Sequence, residues 1–231
     1  GYINYRHPKV EHIDIGLEKE GAPVRIVAVS DVHLGYGTGV SALKKYVEKI
    51  NSQGPDLILI AGDLIDNSVK PLLNEPFAEV LSRLKAPMGV YMVPGNHEYI
   101  SGIDACLDFL KDTPITVLRD SIVTLPGGQQ LIGRDDISNR GRKSLEDLMD
   151  AADMSRTVIV LDHQPYDLKK TDSLGADLQI SGHTHRGQIW PLNWFTDHLY
   201  EQSHGYRKWT HSHIFVSRGL SLRGPPFRIG T

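Results

Sequence analysis

Cysteine is almost missing from this sequence: Cys106 is the single example in 231 residues. That excludes an internal disulfide framework and any zinc knuckle built on thiolates. Long apolar runs are missing as well. No stretch reaches the roughly 18 residues of a membrane-spanning helix, and no signal peptide is visible. Charge of one sign is not in excess: a formal net charge of −3 gives no general attraction to nucleic acid or to an anionic membrane face. Aromatic residues are sparse at 7%, so a stretch in which they crowd together carries information. Repeats, low-complexity tracts and long linkers are also missing. The chain opens on Gly1 instead of methionine, so a processed or trimmed form with a segment upstream is expected.

What is present is an ordinary globular composition, 40% hydrophobic and 23% charged, in a chain long enough to bury a substantial core. Five stretches read as strands: VRIVAVS (24–30), DLILIA (56–61), GVYMVP (89–94), TVIVLD (157–162) and DLQIS (177–181). Each is short, apolar on both faces and rich in Val, Ile or Leu, the pattern of strands covered on both sides. Between them, SALKKYVEKINSQ (41–53), LLNEPFAEVLSRLK (72–85) and KSLEDLMDAAD (143–153) have helical apolar spacing. The first starts at Ser41, a residue of N-cap character, and stops before Gly54-Pro55. SIVTLPGGQQLIGRD reads as a hairpin turning at Gly127-Gly128, and KVEHIDIGL alternates like an edge strand. The pattern predicts an α/β fold with some antiparallel pairing, in one domain.

The residues that follow the strands are the informative ones. The first strand ends in Asp31-Val32-His33 and the second in Gly62-Asp63, with Asp66 close behind. The third ends in Gly95-Asn96-His97-Glu98, the fourth in Asp162-His163 and the fifth in Gly182-His183-Thr184-His185. A lone Asp or Asn in such a place is usually a turn former or helix cap, and a lone His a surface residue. Here the same end of consecutive strands delivers one after another, and ligands of open α/β sheets bind outside the carboxyl ends of the strands. Gly62, Gly95 and Gly182 suit close backbone approach. Asp31, His33, Asp63, Asn96, His163, His183 and His185 form a set of O and N donors without sulfur, suited to Zn²⁺, Mn²⁺ or Fe. These are too many side chains for one tetrahedral ion and about right for two, with an acidic residue shared between ions about 3.5–4 Å apart.

DVH, GDLID, GNHE, DHQP and GHTH, in this order between residues 31 and 185, resemble the five motifs of the calcineurin-like metallophosphoesterases. The extension GHTHRGQIWP and the ending HIFVSRGLSLRGPPFRIG are similar to the bacterial YkuE/YaeI-like branch. Two residues depart from the usual pattern: Arg186 stands where most relatives have Gly, and Asp162 where Gly, Ser or Ala is more common. The resemblance implies a four-layer αββα sandwich with two mixed β-sheets, as a single metallophosphoesterase domain over residues 1–231. It implies two divalent metal ions (Mn, Zn or Fe). One would be held by Asp31, His33, Asp63 and His185, the other by Asp63, Asn96, His163 and His183, with Asp63 as the bridge. A hydroxide bridging the ions would be the nucleophile. His97 would reach the phosphoryl oxygen or the leaving group as a general acid or hydrogen-bond donor, oriented by Asp66. A helix-capping Asp66 is the alternative, and Glu98 reads as a helix-start carboxylate without a role.

Two other segments stand out. GQIWPLNWFTDHLYEQSHGYRKW (187–209) gathers every Trp of the chain, Trp190 and Trp194 among them, and is expected to be an irregular loop. It reads either as a substrate- or membrane-facing surface or as a loop packed on the core. RGRK (140–143) reads as a solvated helix start in preference to a phosphate clamp. The implied activity is hydrolysis of a phosphodiester, phosphomonoester or pyrophosphate bond. A small-molecule or lipid-linked phosphoester is the expected partner, and the branch resemblance favours a lipid or cell-envelope phosphoester. No stable nucleic-acid complex is expected, because such complexes favour basic grooves. A nuclease or cyclic-nucleotide phosphodiesterase on the same core is the alternative. A non-catalytic metal-binding scaffold is least expected, because no ligand is missing. The full-length protein is expected to be membrane-associated or exported, with this part of it soluble.

Overall fold

Apolar runs of four or five residues become strands, and they assort into two sheets. In the computed structural model, residues 8–19, 21–185 and 192–221 are described; Arg186, Trp190 and the residues after Ser221 lie outside the described residues. The smaller sheet is wholly parallel, with β1 (Ile26–Val29), β2 (Leu57–Ala61), β3 (Val90–Val93) and β4 (Ile115–Val117) side by side in that order. The larger sheet is mixed, in the order β5-β6-β7-β8-β10-β9. Its strands are β5 (Ser121–Thr124), β6 (Gln130–Gly133), β7 (Val158–Leu161), β8 (Leu178–Ser181), β9 (Gly205–Lys208) and β10 (His213–Val216). The outer pairs β5–β6 and β9–β10 are antiparallel, while β6, β7, β8 and β10 run parallel. Eight helices accompany them among the described residues: α1 (Val40–Asn51), α2 (Lys70–Leu73), α3 (Phe77–Leu81), α4 (Asn96–Ser101), α5 (Ile103–Leu110), α6 (Leu145–Asp150), α7 (Leu168–Ser173) and α8 (Leu192–Leu199).

Strand alternation builds the layers. On β2, Ile58 and Ile60 pack with Leu43, Tyr46, Val47 and Ile50 of α1, while Leu57, Leu59 and Ala61 pack with Ile159, Leu161 and Ile180 of the other sheet. On β7, Val158 and Val160 turn outward onto Leu145 and Leu148 of α6. Helix, sheet, sheet, helix is the order that results, because a strand apolar on both faces must be covered on both. Register then sets the function-bearing edge. Val29 pairs with Ile60, Ala61 with Val93, Leu161 with Ile180 and Ser181 with Val216, so the parallel strands of each sheet finish at one level.

Several expectations need correction. KVEHIDIGL forms no strand in its described part. Ile13, Ile15 and Leu17 are half-buried and their neighbours exposed, so the alternation is real; it seats Ile15 on the inter-sheet core without joining a ladder. Helix α1 starts at Val40 after Gly39, placing Ser41 inside the first turn. The helix expected over 72–85 is split into α2 and α3. Pro76 between them has no N–H to donate and disfavours helical backbone in the residue before it, and residues 74–76 form a turn. The aromatic stretch is not irregular, since its described part forms α8 and β9. The hairpin stands as expected: Gly128 takes φ +87° in the turn and donates its N–H to the Leu125 carbonyl.

Candidate metal centre

The tight turns that end the strands are made with unusual backbone. Seven non-glycine residues among those described have positive φ, and five of them are predicted metal donors: Asp31 (52°), His33 (48°), Asp63 (52°), His183 (71°) and His185 (47°). Left-handed backbone costs an L-residue about 1–2 kcal/mol, and Asp and His are among the side chains that tolerate it best. Loop-to-loop bonds hold these turns: the N–H groups of Val32 and His33 both donate to the Asp63 carbonyl, at 2.9 and 3.0 Å. Gly62 must stay glycine for two reasons. Its φ is +78°, and a Cβ there would lie 2.5 Å from Nδ1 of His163.

The structure brings all seven predicted donors together at one edge. In one cluster Nε2 of His33 lies 3.2 Å from Nε2 of His185, which is 3.3 Å from Oδ1 of Asp31. In the other, Nε2 of His163 lies 3.2 Å from Nδ1 of His183 and 3.3 Å from both Oδ1 of Asn96 and Oδ2 of Asp63. Oδ2 of Asp63 is also 3.9 Å from Nε2 of His33, so one oxygen faces both clusters. The other oxygen is occupied: Oδ1 accepts the His97 N–H at 2.9 Å. His163 contacts the Ala61 carbonyl through Nδ1 at 2.7 Å, which fixes its ring and directs Nε2 at the cluster. Five of the seven side chains are buried, and Asn96 and His183 are half-buried.

Electrostatics fit a cation. Burial acts to lower the pKa of His163, but the Asp63 carboxylate beside it prevails and raises it to about 10. Burial, with the charge on His163, pushes His183 down to about 4. Burial alone would raise the Asp63 carboxyl, yet His163 holds it well below the usual range. In the protein alone, the facing imidazoles thus retain one proton where an ion would bring positive charge. Two imidazole nitrogens and a carboxylate oxygen converge in each cluster, a donor set that suits borderline divalent ions.

His97 and Asp66 sit beside the first cluster. Oδ1 of Asp66 is 3.1 Å from Nδ1 of His97 and 3.4 Å from Nδ1 of His33. Contact with those two rings holds the Asp66 carboxyl below its ordinary range against the opposing effect of burial. Nε2 of His97 is buried and has no hydrogen-bond partner among the described residues.

Sequence reasoning missed several neighbours of the centre. Glu98 is no ordinary helix-start carboxylate: it is 1% exposed, and burial, then the Asp63 charge, pushes it up to about 7. Asp136, at the end of β6, is buried and accepts from Nε2 of Gln164, the residue after His163. Its strand carries the same signal as the others, an apolar run followed by Asp; reading β6 only as a hairpin arm hid its parallel pairing with β7. Gly219, beyond β10, lies so close that a Cβ would meet Nδ1 of His185 at 2.9 Å. RGRK leads into a helix as expected, with Arg140, Gly141 and Lys143 exposed, and Arg142 alone turns inward. Arg142 and Arg134 are nearly buried, and both pair with Oδ2 of Asp162, Arg134 at 2.8 Å. The helix that follows is capped by Ser144, whose Oγ accepts the Asp147 N–H.

Residues 24–187 match the family model described as calcineurin-like phosphoesterase, a span that contains every donor named above together with Asp66 and His97. The chain belongs to that family. Among its calcineurin-like relatives, an uncharacterized metallophosphoesterase of Helicobacter pylori is 34% identical over 98% of this chain, which spans 62% of that protein's length. The uncharacterized metallophosphoesterase YkuE of Bacillus subtilis is 30% identical over 99% of this chain and 85% of its own length, in keeping with the branch resemblance. A zebrafish protein named as a transmembrane protein with metallophosphoesterase domain is 30% identical over all of this chain and 57% of its own length. No helix among the described residues is long and apolar enough to cross a membrane. In fold, the chain is similar to the solved structure of TT1561 of Thermus thermophilus, at a TM-score of 0.57 and 16% identity, covering 86% of this chain and 91% of that one.

Proposed function

We propose that this chain is a metal-dependent phosphoesterase working with two divalent ions. One observation carries the reading: a single oxygen, Oδ2 of Asp63, faces both imidazole clusters at 3.3 and 3.9 Å while its partner oxygen is already bonded. Asp31, His33, Asp63 and His185 would hold one ion, and Asp63, Asn96, His163 and His183 the other. Two such ions supply, when bound, the acidity that makes hydroxide available near neutral pH and the charge that grips a phosphoryl group. The rest belongs to the chain. His97 presents the buried Nε2 as proton donor to a phosphoryl oxygen or to the leaving group, and Asp66 sets its ring.

The substrate in this reading is an amphiphilic phosphoester, lipid or cell-envelope, met close to a bilayer. The surface supports it. Ten large hydrophobic side chains are exposed among the described residues, and Tyr36, Ile100, Tyr166 and Trp194 among them stand on the segments that follow β1, β3, β7 and β8. Tyr166 stacks near Tyr200, whose ring lies 6.4 Å from that of His183. Exposed apolar side chains on the segments that carry the site, beside a centre that attracts phosphate, would match a molecule with an anionic head and an apolar body.

The decisive variant is Asp63→Asn. After dialysis and remetallation, elemental analysis should find about two equivalents per wild-type chain and fewer in the variant, and hydrolysis of a chromogenic phosphodiester should lose most of its rate. Wild-type turnover with wild-type metal content in that variant would end the dinuclear reading.

A further inference from the structure

Glu98, like Asp136, is a fully buried carboxylate beside the centre that the proposed chemistry does not use, and it alone of the two bonds to the loop that carries Asp63. Its Oε2 accepts the N–H of Gly95 at 2.7 Å and of Asp63 at 3.0 Å, and its Oε1 accepts the N–H of Ile65 at 2.8 Å. Only the first of these is a helix cap, the return half of a capping box at the start of α4. The other two cross to the loop after β2, 35 and 33 residues away. One side chain therefore ties together the loops that follow two neighbouring strands. One loop carries Asp63 and the other Asn96. The preceding residue adds a second hold: the His97 N–H binds Oδ1 of Asp63, so one helical turn grips Asp63 by backbone and by side chain.

We infer that Glu98 is a positioning residue for the second metal site, setting the spacing at which Asp63 and Asn96 converge on His163 and His183. The inference rests on the dinuclear reading. It has a built-in asymmetry. Asp31, His33 and His185 lie on the loops after β1 and β8, and Glu98 bonds to none of them, so the first site shares only Asp63 with the clasp. A carboxylate is needed because three N–H groups point at it; an amide offers one acceptor oxygen and turns an NH₂ toward a donor. Outer hydrogen-bonding partners of metal ligands typically govern about 10–100-fold in affinity.

The test is Glu98→Gln in the full chain, with Cys106→Ala as the control. Cys106 is fully buried and its Sγ contacts the Glu98 carbonyl at 3.7 Å, so the control disturbs the same layer without touching the carboxylate. Each protein is stripped and titrated with Mn²⁺ against a chromophoric chelator, and paired Mn²⁺ is followed by its exchange-coupled EPR signal. In Glu98→Gln the second equivalent should bind about 10–100-fold more weakly, the first much less so, and the coupled signal should give way to that of isolated ions. Cys106→Ala should titrate like wild type. Two tight equivalents with an unchanged coupled signal in Glu98→Gln would overturn the inference. So would equal weakening of both sites accompanied by a lowered Tm of the metal-free variant, which would make Glu98 a general fold residue. Wild-type protein that takes up a single ion would instead refute the dinuclear reading beneath it.

Discussion

The ring of His97 stands edge-on to that of His33 at 4.6 Å, and one carboxylate, Asp66, reaches both. In the proposed scheme, two imidazoles of one sequence type thus receive opposite tasks. His33 turns Nε2 toward Asp31, Asp63 and His185, while His97 keeps a buried Nε2 outside that cluster. Replacing His97 by Asn should lower kcat by about 10²–10⁴, the usual contribution of a positioned acid, with metal content held near wild type. Metal loss in that variant would make His97 a ligand instead. Asp66→Asn should act in the same direction and less strongly, but its contact with His33 adds a second effect on the first site. Recovery of full kcat in Asp66→Asn at high metal concentration would mean that Asp66 serves His33 alone.

At the scale of elements, the segment from β6 to α6 is fastened by charge. Arg134 and Arg142 converge on Oδ2 of Asp162, the residue that departs from the usual pattern, and the side chains are 11%, 11% and 3% exposed. Removing one member of a buried ion group leaves the others uncompensated, at a cost of about 3–5 kcal/mol. Asp162→Ala should therefore lower the unfolding free energy of the metal-free protein by that amount in urea titrations, and a loss below about 1 kcal/mol would reduce the cluster to a surface pair. This clasp was not legible in the sequence, because Asp162 meets arginines 20 and 28 residues away. What was legible is local. Each donor stands within a few residues of the apolar run that positions it, so Asp31, Asp63, Asn96, His163 and His183 could be read from strand and turn alone. Pro76 was equally visible, yet apolar spacing on both sides of it outweighed the break it imposes. Nothing local marks Glu98 as a link to the loop after β2, since that link exists only once β2 and β3 lie side by side.

At the scale of the whole molecule, the proposed amphiphilic substrate requires that the exposed rings on the site-bearing segments meet lipid. Burying each exposed ring contributes about 1.5–3 kcal/mol. The double variant Tyr36→Ser, Trp194→Ser should therefore float less with anionic phospholipid vesicles and raise KM for an amphiphilic phosphodiester by about tenfold or more. Its kcat on a small chromogenic ester should stay near wild type; equal losses on both substrates would make these residues part of the chemistry or of the fold. The left-handed turns have a different consequence, for how such a protein changes under selection. Glycine or asparagine at Asp31 or His33 would relax the backbone while removing or weakening a donor, so heat resistance and turnover reward opposite residues at the same codons. A library screened for thermal survival alone should shed its metal ligands first, and only a simultaneous demand for hydrolysis would keep them.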